Sequence, residues 1–192
     1  MEDAFLFRHG LSPSSRRPDL PGAAQTVPVL LNAAVMERPS DEALAGRHAR
    51  FSYEELSLAS QRAAMMLSDL GISPGDRVAA SLPNETEIVI AFLAAMRIGA
   101  IFVGIPLDWS LDDTLLAVEE TDASLLLVDQ ATHDALSPRR AELRDLGHVL
   151  VAEPGRSEWN LSVDREEDLA PFDDFDPFAP ALVSYERAPD GR

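Results

Sequence analysis

Phe51-Ser52-Tyr53-Glu54-Glu55-Leu56 carries a helix start signal. Ser52 is placed to cap the helix and Glu55 stands three residues later, the reciprocal arrangement of a capping box. Leu56, Ala59, Ala63, Met66, Leu67 and Leu70 then recur at helical spacing along one face. Gly71 is placed to end the helix in a left-handed turn. Ser73-Pro74-Gly75-Asp76 reads as a tight turn, because proline presets φ and glycine tolerates what other residues do not. Arg77 to Leu82 reads as a short buried strand, after which Asn84 is expected to cap a second helix with Glu87 at its third position. Gly99 closes that helix. Ile101 to Ile105 is a second apolar strand, stopped by Pro106-Leu107-Asp108. Helix, strand, helix and strand in this order predict an α/β fold.

The same residues resemble the opening of the adenylate-forming ligase superfamily, which contains acyl- and aryl-CoA synthetases, luciferases and the adenylation domains of nonribosomal peptide synthetases. Phe51 to Leu56 is similar to its first core motif, Leu-(Thr/Ser)-Tyr-x-Glu-Leu. Met96-Arg97-Ile98-Gly99-Ala100-Ile101-Phe102-Val103, followed after Gly104-Ile105 by Pro106-Leu107-Asp108, is similar to the second, Leu-Lys-Ala-Gly-x-Ala-Tyr-Val-Pro-Leu-Asp. Gly104-Ile105 is either a two-residue insertion or the counterpart of Pro-Leu. Between the motifs, Gly71-Ile72-Ser73-Pro74-Gly75-Asp76-Arg77-Val78 and Leu82-Pro83-Asn84 match the family's usual wording, and the order of elements agrees from Val27 to Tyr185. The resemblance implies an incomplete N-terminal subdomain of that fold, a mostly parallel sheet flanked by helices.

Working outward, the N-terminal residues 1 to about 25 read as a loosely structured leader, with Pro13, Pro18 and Pro21-Gly22 interrupting any periodicity. Residues 26–192 form the partial ligase domain. A helix is predicted over Val27 to Glu37, with Val27, Leu30, Leu31, Ala34 and Val35 as its apolar face. Glu42 to Ala45 and Ala49 to Ser52 form a hairpin turning at Gly46-Arg47-His48. Beyond the second motif, Ser110 caps a helix over Leu111 to Thr121. Ser124 to Asp129 is a strand apolar enough to be buried on both faces. A helix over about Thr132 to Leu146 meets an obstacle at Pro138, and Val149 to Ala152 is a further strand. From 153 to 180 the chain turns acidic and loop-rich: Glu153, Glu158, Asp164, Glu166, Glu167, Asp168, Asp173, Asp174 and Asp176 are opposed only by Arg156 and Arg165. Ala181 to Tyr185 is the last strand.

The 192 residues carry a net charge of −17. That argues against a nucleic-acid partner, whose phosphates demand a basic face. No apolar run approaches the roughly 20 residues of a membrane span, and the acidic Met1-Glu2-Asp3 lacks a signal peptide's basic region, so the cytoplasm is the expected compartment. All 16 basic residues are arginine, which removes lysine chemistry such as Schiff bases and the P-loop amine. There is no cysteine, hence no thiolate nucleophile or disulfide. His9, His48, His133 and His148 show no metal-ligand spacing and are expected at loops and helix ends. The spacing of Asp173, Asp174 and Asp176 lacks the glycine and distal glutamate of a calcium loop. No metal site and no catalytic residue is therefore assigned. Trp109 and Trp159 are read as packing or loop anchors.

In the family resembled, the last strand leads into a phosphate-binding loop, Tyr-Thr-Ser-Gly-Thr-Thr-Gly-x-Pro-Lys-Gly, whose glycines let backbone N–H groups wrap the ATP phosphates. Here Tyr185 is followed by Glu186-Arg187-Ala188-Pro189-Asp190-Gly191-Arg192. Only Gly191 keeps its family residue, and it is the single cofactor-binding position the resemblance assigns. Glu186 and Asp190 place carboxylates where phosphate oxygens belong, and Pro189 removes a backbone donor. The resemblance implies ATP and Mg for the full-length family, with a carboxylic acid and a CoA or carrier-protein thiol as reaction partners. This chain alone is expected to be inactive. The alternative is a non-catalytic binding or scaffold protein, associating with itself or with another protein through an open sheet edge, or a gene remnant.

Overall fold

The structure, a computed structural model, describes residues 26–153, Trp159, 175–177 and 179–185. Its elements are α1 (Val27–Glu37), the hairpin β1 (Glu42–Ala45) and β2 (Arg50–Ser52), α2 (Tyr53–Asp69), β3 (Arg77–Ser81), α3 (Thr86–Arg97), β4 (Ile101–Gly104), α4 (Leu111–Glu120), β5 (Leu125–Val128), α5 (Gln130–Leu136) with a 3-10 turn at Ser137–Glu142, β6 (His148–Val151) and β7 (Leu182–Ser184). Five strands form one parallel sheet in the order β6-β5-β3-β4-β7. The 153–180 acidic segment falls almost wholly outside the described residues, as do the 1–25 leader and Gly191.

The strand order explains where the helices lie. The chain moves one way from β3 to β4, then reverses past β3 to β5 and β6. Right-handed crossovers put connections of opposite direction on opposite faces. Accordingly α3 covers one face together with α1 and α2, while α4 and α5 cover the other. The pleat sorts the side chains to match. Val78, Phe102, Leu125, Leu127 and Leu150 join the α2–α3 side; Ala79, Val103, Leu126, Val128 and Val149 join the α4–α5 side. Leu125 to Val128 is fully buried, as expected for a central strand.

The capping box forms as read: Ser52 Oγ accepts the Glu55 N–H at 3.2 Å, and Glu55 Oε2 accepts the Ser52 N–H at 2.8 Å. Helices α2 and α3 approach closely because Ala59, Ala63, Ala64, Ala91, Ala94 and Ala95 are small and almost wholly buried. Buried Arg97, in the last turn of α3, donates from Nε to Ser60 Oγ (2.9 Å) and from Nη2 to Ser57 Oγ (3.0 Å). That explains why Ser57 and Ser60, polar and off the apolar stripe, are buried.

Three expectations change. Asn84 does not cap α3: the helix starts at Thr86 with Glu85 at the cap position and no side-chain cap bond. Glu85 instead accepts the Arg47 N–H at 2.7 Å, so its carboxylate is committed to the hairpin turn. On α1, Pro28 and Leu31 are buried, whereas Val27 and Leu30 are 36% and 56% exposed; a helix with only Asn32 and Glu37 as polar residues gives little periodic signal to say which side faces inward. The helix expected over Thr132 to Leu146 ends at Leu136, and Pro138 sits in the 3-10 turn that follows, where its missing N–H is tolerated.

Candidate functional site

Ligands of open parallel sheets sit beyond the carboxyl ends of the strands. In this chain the relevant edge is where β4 and β7 run out together. Their register is Phe102 with Leu182, Val103 with Val183 and Gly104 with Ser184. The β4 ladder continues without a bulge: Gly104 also pairs with Ala80, and the Ile105 N–H donates to the Ala80 carbonyl at 2.9 Å. Gly104-Ile105 thus prolongs the strand, and Pro106, which has no N–H to offer, ends it.

The turn after β4 closes through the Trp109 N–H on the Pro106 carbonyl at 3.2 Å. Ser110 then caps α4, its Oγ accepting the Asp113 N–H at 3.1 Å, with Asp112 and Asp113 at the positive end of the helix. Trp109 is thereby brought against Tyr185, the first residue after β7. The rings meet edge to face with centroids 5.2 Å apart and planes at 61°. The Tyr185 hydroxyl donates to the Ala117 carbonyl in α4 at 3.3 Å. Burial, reinforced by the nearby Glu120 carboxylate, pushes the Tyr185 pKa up, so the phenol stays neutral.

Tyr185 is therefore held by the end of β7, the Trp109 indole and α4. The residues after it that were assigned from the sequence, Gly191 together with Glu186, Pro189 and Asp190, lie outside the described residues. What is described around the exit is acidic and aromatic: Asp108 is exposed on the neighbouring turn, and Glu120 stands behind the phenol. A neutral phenol and an indole orient a loop; they supply no base, nucleophile or cation. The Trp109–Tyr185 pairing was not legible in the sequence, since nothing local to either residue signals a partner that far along the chain.

Elsewhere the candidate side chains remain apart. His48 is exposed in the hairpin turn. His133 lies in the last turn of α5, a helix end as expected, and His148, expected in a loop, opens β6 with its Nε2 3.1 Å from the Leu70 carbonyl. Among the described residues no three His, Asp or Glu side chains converge to hold a metal. Trp159 is buried in the α2–α3 core.

The geometry agrees with known proteins. A family model described as AMP-binding enzyme matches residues 31–185. Over 173 residues the chain is 31% identical to a salicyl-AMP ligase / salicyl-S-ArCP synthetase of Mycobacterium tuberculosis, which covers 84% of this chain and 31% of that protein. Over 144 residues it is 31% identical to novobiocin biosynthesis protein H of Streptomyces niveus, covering 75% of this chain and 23% of that one. The chain thus spans 23% and 31% of the length of these two relatives. Among solved structures, a long-chain-fatty-acid-CoA ligase from Archaeoglobus fulgidus superposes with a TM-score of 0.76 at 18% identity, over 88% of this chain and 36% of the other; at that identity the likeness concerns the fold. Since the matched segment takes in both motifs and every strand of the parallel sheet up to Tyr185, the chain belongs to the AMP-binding enzyme family and carries the α/β fold found in the N-terminal domain of adenylate-forming ligases.

Proposed function

We propose that this chain supplies the N-terminal sheet of an ATP-dependent carboxylic acid:CoA ligase or adenylation enzyme and does not itself activate an acid. The family's substrates are carboxylic acids, and its acceptors are CoA or carrier-protein thiols. In the whole enzyme an acyl-adenylate forms and the thiol then displaces AMP. We place the chain in the cytoplasm, where ATP and CoA are at hand, with residues 26–192 as the partial domain.

The observation that carries the inactive reading is the sequence that follows Tyr185. A well-formed exit from β7 is succeeded by Glu186, Pro189 and Asp190, with Glu120 and Asp108 close to the same edge. Carboxylates repel phosphate oxygens, and a proline removes a donor from any backbone cradle. Glu186, Pro189 and Asp190 do not fit ATP phosphates. The test is ATP–pyrophosphate exchange by the 192-residue polypeptide with salicylate, benzoate and a fatty acid. Exchange at the no-enzyme background is expected; exchange above it with any acid refutes the reading.

A second reading, a binding or scaffold role, is favoured by one observation. Leu182, on β7, the outermost strand of the sheet among the described residues, is 55% exposed. A sheet edge that ends in an exposed leucine invites pairing.

A further inference from the structure

We propose that a cavity at the amino ends of β3, β4 and β7 binds a small neutral molecule, mostly apolar, that carries one hydrogen-bonding group. The cavity measures about 330 Å³, which lies in the range of small-molecule pockets. Gly75 leads into β3, Ala100 into β4 and Ala181 into β7, and all three line it. Pro28 of α1, Met96 of α3 and Phe175 supply much of its apolar wall. The walls are held by contacts of their own. The Gly75 N–H donates to the Gly99 carbonyl at 2.8 Å, and the Ala179 N–H donates to the Asp176 carbonyl at 3.0 Å. The Phe175 ring lies so close over Gly99 that a Cβ there would fall 2.7 Å from it. A site built in advance in this way loses little order when a ligand enters.

Two observations choose the ligand chemistry. The first is Thr26, the cap residue of α1, which lines the cavity with its Oγ1 buried and without a hydrogen bond among the described residues. The cause is local. A capping hydroxyl accepts the N–H of the second or third helical residue. The second here is Pro28, which has no N–H, and no side-chain cap bond forms. A buried hydroxyl without a partner is costly, and a ligand donor or acceptor beside it would remove that cost. The second observation is charge. Among the described residues no arginine or histidine lines the cavity, and Asp176 is its one ionisable side chain. A carboxylate or phosphate would enter unpaired, against the field of a chain of net charge −17. Asp176 is exposed, so water weakens any pairing with a cation. A neutral ligand meets neither obstacle.

The experiment titrates the 192-residue chain with N-phenyl-1-naphthylamine, a neutral fluorophore with one N–H whose emission rises in apolar surroundings. Saturable one-to-one binding is expected, with amide shifts in NMR spectra concentrated at Gly75, Gly99 and Ala181. Ala179→Trp, at an exposed position on the wall, fills the cavity and should weaken binding about tenfold or more. Thr26→Val keeps the shape and deletes the hydroxyl. It should weaken binding about fivefold and leave the thermal melt unchanged or raised. A hydroxyl that served only as a cap would instead lower the melt and leave binding unchanged, which overturns its role here. Circular dichroism shows that both variants fold. Absence of saturable binding, binding at several sites, or indifference to both substitutions overturns the proposal. Binding is read without turnover, so pyrophosphate exchange can refute the inactive reading while the cavity proposal stands, and the reverse.

Discussion

At the scale of single residues, Arg97 and Gly99 do different work in adjoining positions. Arg97 is 1% exposed, and its fork ties α3 to α2 through Ser57 and Ser60, with Asn32 of α1 at 3.4 Å. Truncation removes the guanidinium donors from both buried hydroxyls and leaves Ser57 Oγ only Gln61 Nε2 at 3.2 Å, so we predict that Arg97→Ala lowers stability by about 3 kcal/mol in urea denaturation. Arg97→Lys, with the charge but no fork, should recover less than half. Gly99 has φ of +69°, and a Cβ there would fall 2.7 Å from the Phe175 ring. Gly99→Ala should therefore cost on the order of 2 kcal/mol by the same measurement. Tyr185 makes a pH prediction. Its folded pKa lies above the unfolded value of about 10, so the stability it contributes is complete below about pH 10 and is lost as pH rises through the folded value. Absorbance titration of the phenolate in a Tyr53→Phe background, which leaves one tyrosine, should show a midpoint above that of the unfolded chain.

At the scale of elements, the ends of helices are fixed by contacts from well outside them. Arg77, the first residue of β3, donates from Nε to the Thr121 carbonyl at 2.7 Å and from Nη2 to the Asp122 carbonyl at 2.5 Å. It thereby satisfies the open carbonyl end of α4 and suits its negative dipole. Arg77→Ala is predicted to lower stability by about 2 kcal/mol. It should also speed amide hydrogen exchange selectively in the last turn of α4 and in the Asp122–Ser124 turn. If protection there is unchanged, the tie does not matter. The capping box of α2 is the local counterpart: Ser52→Ala should cost about 1 kcal/mol.

At the scale of the molecule, the balance is one of charge against core. A net charge of −17 on 192 residues opposes compaction through self-repulsion, and salt screens it. The melting temperature should therefore rise by several degrees between about 20 and 300 mM NaCl. A fall would mean that specific ion pairs, such as Arg139 with Asp112 and Glu142, outweigh the general field.

The sequence by itself determined the alternation of helix and strand from Phe51 to Val128, the capping box and the left-handed glycines. These follow from local rules: a cap, a period or a positive φ is set by residues within a few positions of one another. It also determined the residue types that follow Tyr185, where Glu186 and Asp190 bring carboxylates and Pro189 brings no N–H. The tertiary structure decided what depends on distant partners. The burial of Ser57 and Ser60 under Arg97, the pairing of Trp109 with Tyr185, the inward side of α1 and the diversion of Glu85 from a cap to the Arg47 turn each join residues far apart in the chain or choose one face among equals. No local preference distinguishes the outcomes there, and packing selects among them.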